Sequence, residues 1–409
     1  MPRTVYAIAT LDTKGAELAF VADRLIEAGV PVVTVDVGTH GPPVGRPGID
    51  RGRVASCHPD GPAAVFGQTD RGRAVATMGV ALRAFLLGQH QEGRVGGVIG
   101  LGGTGGTALI APAMRALPIG LPKLLVSTVA GGDVAAYVGC SDLVMVPSVV
   151  DVAGLNTISR RVLANAAHAL AGMVTREAPP AGDRPAIGMT MFGVTTPCVD
   201  AVRRALEATG FDCLVFHATG TGGRTMERLV EAGLIGGVLD VTTTEVADEV
   251  VGGVFPAGPD RFDAILAAGV PYVVSVGALD MVNFGAADTV PAAFRGRRLH
   301  VHNSQVTLMR TTAEENRQCA RWIAAKLNRS TGPLAVLIPE NGVSAIDAPG
   351  QPFHDPAADA ALFQELEAAV VQTPDRVVRR LPFHINDPGF ADALIETFRG
   401  LVSAGWPGS

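Results

Sequence analysis

The sequence predicts an α/β fold in two domains with mainly parallel sheets, and three observations predict it. Short apolar runs of strand length alternate with longer stretches of helical period along the chain. One polar, proline-bearing stretch, Thr175–Arg184, interrupts this alternation, which then begins again in the same order. The apolar run Val95–Ile99 opens into a glycine-rich turn, the pattern of a parallel strand that ends at a ligand. Parallel strands need crossover connections, here helical. The reading is therefore two Rossmann-like domains, 1–178 and 184–409.

In the first domain, Thr4–Ala9 reads as a buried strand, Thr10–Gly15 as a loop and Glu17–Ala28 as an amphipathic helix. Pro31–Val37 is a second strand, and residues 41–70, rich in Pro, Gly and Arg, read as an irregular excursion. A helix from Arg73 to Leu87 leads to the central strand. Lys123–Thr128 and Leu143–Val146 follow as strands, and Thr157–Met173 as a helix with Asn156 at its N-cap.

The second domain opens with the strand Ala186–Met191, a helix begun at Thr195-Thr196-Pro197, and the strand Cys213–Phe216. Ile235–Val241 and Pro271–Val276 are further strands, with Thr242–Glu245 capping a helix between them. The remainder gives strands at His300–His302, Leu334–Pro339 and Val377–Leu381. Helices are expected at Ala313–Leu327, Ala358–Val370 and Gly389–Leu401. The duplication is one of element order, not of residue identity.

Composition narrows the function. At 409 residues and 47% apolar content the chain can bury two ordinary cores. A net charge of −6 argues against nucleic acid as a partner. No apolar run reaches membrane-spanning length, and Met1–Thr4 leads straight into a strand without a signal-peptide core. A cytoplasmic location is expected. The five cysteines are widely spaced with no C-x-x-C, which suits reduced thiols better than disulfides or a zinc site. Only Lys14, Lys123 and Lys326 are lysines among 33 basic residues, so each draws scrutiny.

The glycine turn, Gly100 to Thr107 (G-L-G-G-T-G-G-T), is the strongest local signal. Glycines admit close backbone approach, and the free N–H groups of a following helix favour an anion. Gly102, Gly103, Thr104, Gly105, Gly106 and Thr107 are thus candidate phosphate-binding residues. Gly100-x-Gly102-x-x-Gly105 matches the dinucleotide pattern formally, but the next strand ends without the acid that would hold a ribose. No G-x-x-x-x-G-K-[ST] occurs, which excludes a P-loop. A strand–helix turn packed with glycine for steric reasons is the plainer alternative.

T-L-D-T-K-G from Thr10, the Gly100–Thr107 turn and S-T-V-A-G-G-D-V from Ser127 resemble the ATP-binding domain family named after a plant tobamovirus-resistance protein. H-N-S-Q-V-T-L-M-R-T-T from His302 and G-V-S-A-I-D from Gly342 extend the resemblance, in order, over nearly the whole chain. The resemblance implies two Rossmann-like subdomains, a homodimer, and ATP with magnesium bound in the N-terminal half. Plant relatives continue into a TIM-barrel-like domain, which makes a separate barrel protein a candidate partner.

Further candidates lie at strand ends. Asp12, Thr13 and Lys14 follow the first strand: Lys14 suits a phosphate, and Asp12 a magnesium ion or a ribose. The same residues suit a plain helix start. Gly38 and Thr39, after Asp36, end the second strand, where a ribose or base often lies, or form a simple turn. Ser127, Thr128, Gly131 and Gly132 add small donors, and Asp133 a second carboxylate for magnesium. In the second domain His302, Arg310 and Glu340 are candidate catalytic residues for a small molecule held at an interdomain cleft. His300 and His302 would share a strand face, and Arg310 suits an anionic substrate or a surface position. Ser344, Asp347 and Asp355 suit caps and turns. The resulting expectation is an ATP- and magnesium-binding protein that acts on or senses a small molecule. The alternatives are an enzyme of small acids whose glycine loop holds a phosphate or carboxylate, and a non-catalytic regulatory module.

Overall fold

Residues 4–176 and 182–405 are described by a computed structural model, in two compact units that divide at Ala181/Gly182. The interruption expected at Thr175–Arg184 lies partly outside the described residues.

In the first unit the strands are β1 (Thr4–Ala9), β2 (Val32–Asp36), β3 (Val95–Gly102), β4 (Lys123–Ser127) and β5 (Val144–Pro147). They form one parallel sheet in the order β2-β1-β3-β4-β5. The helices are α1 (Leu11–Glu27), α2 (Arg51–Ala55), α3 (Ala63–Phe66), α4 (Arg71–Gln91), α5 (Thr104–Arg115), α6 (Ala135–Val138) and α7 (Thr157–Thr175). Leu18, Val21 and Leu25 of α1 pack with Leu163 and Leu170 of α7 on one face. Met78, Leu82 and Phe85 of α4 pack with Leu109 and Ile110 of α5 on the other. The sheet is doubly wound, and its strand order reverses between β1 and β3, where such sheets open a crevice at the carboxyl ends.

The second unit repeats this plan. Its strands β6 (Ala186–Met191), β7 (Asp212–His217), β8 (Gly237–Thr242), β9 (Tyr272–Gly277), β13 (Leu334–Pro339) and β14 (Arg376–Leu381) lie parallel in the order β14-β13-β9-β8-β6-β7. Helices α8 (Thr196–Glu207) and α14 (Pro388–Gly405) cover one face. The other carries α9 (Thr221–Glu231), α10 (Thr244–Val251), α11 (Asp263–Ala268), α12 (Ala313–Leu327) and α13 (Pro356–Ala369).

Three expectations are corrected, and one strand is borne out and extended. The helix placed from Glu17 starts at Leu11 and breaks at Lys14, whose φ of −126° and ψ of 18° are not helical. The 41–70 excursion contains α2 and α3, and Ile49 bridges to Val35 of β2. The strand at His300–His302 is β11 (Leu299–Asn303), the edge of a small antiparallel sheet with β12 (Val306–Arg310) and β10 (Met281–Phe284). Thr243 precedes α10 but caps nothing, its hydroxyl donating to the Ser275 carbonyl. Asn156 does cap α7, in a box with Ser159.

Candidate functional site

Two cavities lie along the carboxyl edge of the first sheet and meet at Gly103 and Thr104. The first, about 490 Å³, sits over the β1/β3 reversal and is lined by Thr10, Asp12, Thr13, Lys14, Thr39, His40, Arg71, Val75, Leu109 and Gly103–Gly106. The second, about 570 Å³, is lined by Thr128, Gly131 and Pro147–Asp151 besides the shared pair.

The glycines of the turn divide into two kinds. A Cβ on Gly102 would lie 2.7 Å from the Thr107 nitrogen and 2.8 Å from the Gly106 carbonyl carbon, so packing alone demands glycine there. Gly105 has nothing within 4 Å of a built Cβ, Gly106 nothing nearer than 3.6 Å and Gly103 nothing nearer than 3.8 Å. None of the three has a positive φ. Neither fold geometry nor packing asks for glycine at 103, 105 or 106. The added side chains would project into space at the start of α5, where free N–H groups and the helix dipole favour an anion.

Charge agrees with that reading. Lys14 and Arg71 line the first cavity, and no ion pair engages either among the described residues. The backbone break at Lys14 sits where the residue joins the cavity wall. Asp12 is the single acid lining this cavity, its Oδ2 accepting from the His40 amide at 3.3 Å. His40 in turn holds Nδ1 2.8 Å from the Thr39 hydroxyl. Gly15 is required by its neighbour, since a Cβ would run into the Val44 carbonyl as the loop after β2 crosses α1.

Several expected donors face inward. Thr107 and Ser127 are fully buried, with their hydroxyls 2.5 Å apart, and staple α5 to β4. Gly38, Gly102 and Gly132 line neither cavity, and Asp133 accepts from the Ala135 amide at 2.9 Å without lining one. Asp36 Oδ1 accepts from the Leu11 and Gly38 amides, and Oδ2 from Arg51, so this acid shapes the loops. No group of three or more His, Cys, Asp or Glu able to hold a metal occurs among the described residues. Magnesium commonly takes one or two carboxylates plus phosphate oxygens, so Asp12 alone is compatible with it.

Sequence reasoning missed Arg71, His40 and the Pro147–Asp151 loop. The signal was available. Every loop after a parallel strand, and every helix N-terminus that follows one, belongs to the same edge. Arg71 opens α4 behind the N-cap Asp70, two residues earlier than the helix start expected at Arg73.

The second unit has no comparable opening in its own glycine turn. Gly222 and Gly223 at the start of α9 are filled in, a Cβ on the latter striking the Glu245 carboxylate. Glu245 accepts from the Gly220 amide at 2.7 Å, so the chain supplies its own anion there. Arg261 bridges Glu245, Glu227 and Asp240 beneath it.

The three candidates of the second domain are not joined by any hydrogen bond or ion pair among the described residues. His302 is exposed on β11, and Glu340 is half-exposed past β13, 3.9 Å from Arg380. Arg310 is buried, contrary to a surface position. Its Nε donates to the Phe353 carbonyl, Nη1 to Thr311 and Nη2 to Asp359. Every guanidinium nitrogen is thus taken by the protein. Asp355 caps α13, and Ser344 donates to Asp280.

Burial and the neighbouring Asp347 push the Asp280 carboxyl up to about 7. Burial pushes Asp359 up to about 8, against the pull of Arg310. A carboxyl raised on folding binds more protons in the native state, so it makes stability fall as pH rises from about 4 to about 8. The urea midpoint of the second unit should drop across that range, and Asp359→Asn should flatten the drop. A slope unchanged in the variant would contradict this assignment.

No helix among the described residues is long and apolar enough to cross a membrane. Two family descriptions cover the chain: "Uncharacterised protein family (UPF0261) N-terminal domain" over residues 3–179, and the C-terminal domain of the same family over 184–402. A UPF0261 protein of Rhizobium meliloti (strain 1021) is 55% identical over 98% of this chain and 100% of its own length. The ToMV resistance protein Tm-1(GCR237) of Solanum lycopersicum is 48% identical over 96% of this chain, which spans 55% of the tomato protein. A Streptomyces sp. SF2575 glycosyltransferase complexed with thymidine diphosphate aligns at 15% identity over 66% of this chain and 81% of its own. Its TM-score is 0.19, too low to carry an argument. With both of its domains matched and the Rhizobium relative similar along its whole length, the chain belongs to the UPF0261 family, and the expected resemblance to the tomato proteins is borne out.

Proposed function

We propose that the N-terminal domain binds ATP with magnesium along the carboxyl edge of its sheet. The observation that carries this reading is the set of glycines at 103, 105 and 106, which neither backbone angle nor packing requires and which keep open a cavity faced by Lys14 and Arg71. Two cations and a helix N-terminus against one carboxylate suit a polyphosphate better than a single carboxylate group. Lys14 and Arg71 would neutralise phosphate oxygens, the Gly103–Gly106 amides would orient them, and Asp12 would hold the magnesium ion. Bound magnesium would supply charge neutralisation between phosphates.

The first test is thermal unfolding with and without millimolar ATP plus magnesium, against AMP, NAD and a phosphorylated small acid. A ligand at about a hundred times its Kd stabilises the native state by roughly 2.7 kcal/mol, which shifts a melting transition by several degrees. The expected result is a shift with ATP that exceeds those with AMP and NAD. A shift with the phosphorylated acid and none with ATP would favour a small-acid enzyme instead.

A further inference from the structure

We propose that the second cavity is the nucleoside lobe of the same site, with Asp151 accepting hydrogen bonds from the ribose hydroxyls. This rests on the ATP reading above and adds the direction in which the nucleotide lies.

Charge is unevenly distributed along this edge. The cations line the cavity over β1 and β3, whereas the cavity over β4 and β5 is lined by small polar groups, apolar valines and one acid, Asp151. Phosphates belong with the cations. A neutral, hydroxyl-bearing group belongs beside the carboxylate.

The other acids of this edge are committed elsewhere or belong to the phosphate lobe. In dinucleotide-binding sheets an acid at the end of the second strand holds the ribose. Here that acid is Asp36, and both of its oxygens are committed to Leu11, Gly38 and Arg51. Asp133 accepts from the Ala135 amide and lines neither cavity. Asp12 stands with Lys14 in the phosphate lobe. Asp151 is exposed, lines the second cavity and has no hydrogen-bond or ion-pair partner among the described residues.

Val149 adopts a left-handed φ of 66°, a conformation that β-branched residues avoid. A tight turn holds it there, with the Val150 amide donating to the Ser148 carbonyl at 2.7 Å and the Ser148 hydroxyl to the Val150 carbonyl at 2.6 Å. The turn leaves Val149 75% exposed at the cavity mouth, an apolar surface on which a flat base can rest. From β2 to β5 the edge runs about 19 Å at ~4.8 Å per strand, a row suited to an extended nucleotide.

The test is calorimetric titration of the full chain with ATP, 2′,3′-dideoxy-ATP and inorganic tripolyphosphate, each with magnesium, in wild type and Asp151→Ala. Hydrogen bonds to a charged group correspond to a preference of roughly 10- to 100-fold. Wild type should prefer ATP over the dideoxy analogue by that factor. The variant should bind both at the weaker level while keeping its tripolyphosphate affinity. A preference retained in the variant would overturn the assignment of Asp151 and leave ATP binding intact. An equal loss for ATP and tripolyphosphate would also overturn it, because the residue would then act on phosphates or on the fold. If wild type binds neither ATP nor tripolyphosphate, the nucleotide reading itself falls.

Discussion

Gly103→Val should leave the protein folded and abolish its ATP binding, whereas Gly102→Ala should damage the fold. The two glycines are neighbours, yet they are glycine for different reasons. Gly103 has φ −75° and ψ −165°, extended backbone that valine readily adopts, and a Cβ there meets only the Thr128 hydroxyl at 3.8 Å. The expected stability change is within about 0.5 kcal/mol, as for open surface sites. The added methyl groups would stand where the two cavities meet, between the α5 amides and any phosphate. At Gly102 a single methyl group meets backbone atoms at 2.7–3.0 Å that no rotamer change can move. Overpacking of that kind costs about 1–3 kcal/mol. Urea midpoints and ATP titrations on both variants separate the effects. ATP affinity unchanged in the Gly103 variant would refute the placement of the phosphates.

That contrast also indicates how much of the site could be read from the chain. The apolar run Val95–Ile99 and the glycines after it specify a strand, a turn and a helix start, because period and backbone freedom are local properties. The repeat of the same plan after the interruption is legible for the same reason, and both sheets have the doubly wound strand order. Direction of side chains at a strand end is not local. Thr107 and Ser127 look like ligand donors but satisfy each other in the core. Thr104 and Thr128, of the same chemistry a few residues away, line cavities. Arg71 comes to the site across the long β2–β3 crossover, and no spacing in the sequence encodes that. β11 is legible at His300–His302, but its hairpin with β12 is not, because Val306–Arg310 is short and runs straight into the polar residues that precede α12. Arg310 suits either an anionic substrate or a surface position from the sequence, and the structure gives neither, since its guanidinium is buried and engaged within the protein. Its burial depends on Asp280, Asp347 and Asp359, which lie far from it in the chain.

The largest stability loss is expected from Arg261→Met in the second unit. Arg261 is fully buried and donates to Glu245 at 2.6 Å, Asp240 at 2.7 Å and Glu227 at 2.9 Å. Those carboxylates in turn organise the unit. Glu227 receives the Phe262 and Ala264 amides, Asp240 the Tyr272 and Thr190 hydroxyls, and Glu245 the Gly220 amide. Methionine keeps much of the volume but leaves three carboxylates in one pocket without a cation. Stranding buried charge in this way costs about 3–5 kcal/mol, more than the ion pair itself contributes. Burial already raises the Glu227 carboxyl above its ordinary value with Arg261 in place. Without the cation that opposes this rise, Glu227 would hold its proton to higher pH than in the unfolded chain, so the variant should regain stability as pH falls. Hydrogen exchange along β8 in wild type and variant at about pH 8 and about pH 5 reads that opening directly. A loss below about 1 kcal/mol, equal at both pH values, would refute the reading of Arg261 as the charge these buried carboxylates require. The ATP-dependent stabilisation of the first unit should persist in this variant, because Glu245 and Arg261 fill the glycine turn of the second unit and the open turn belongs to the first.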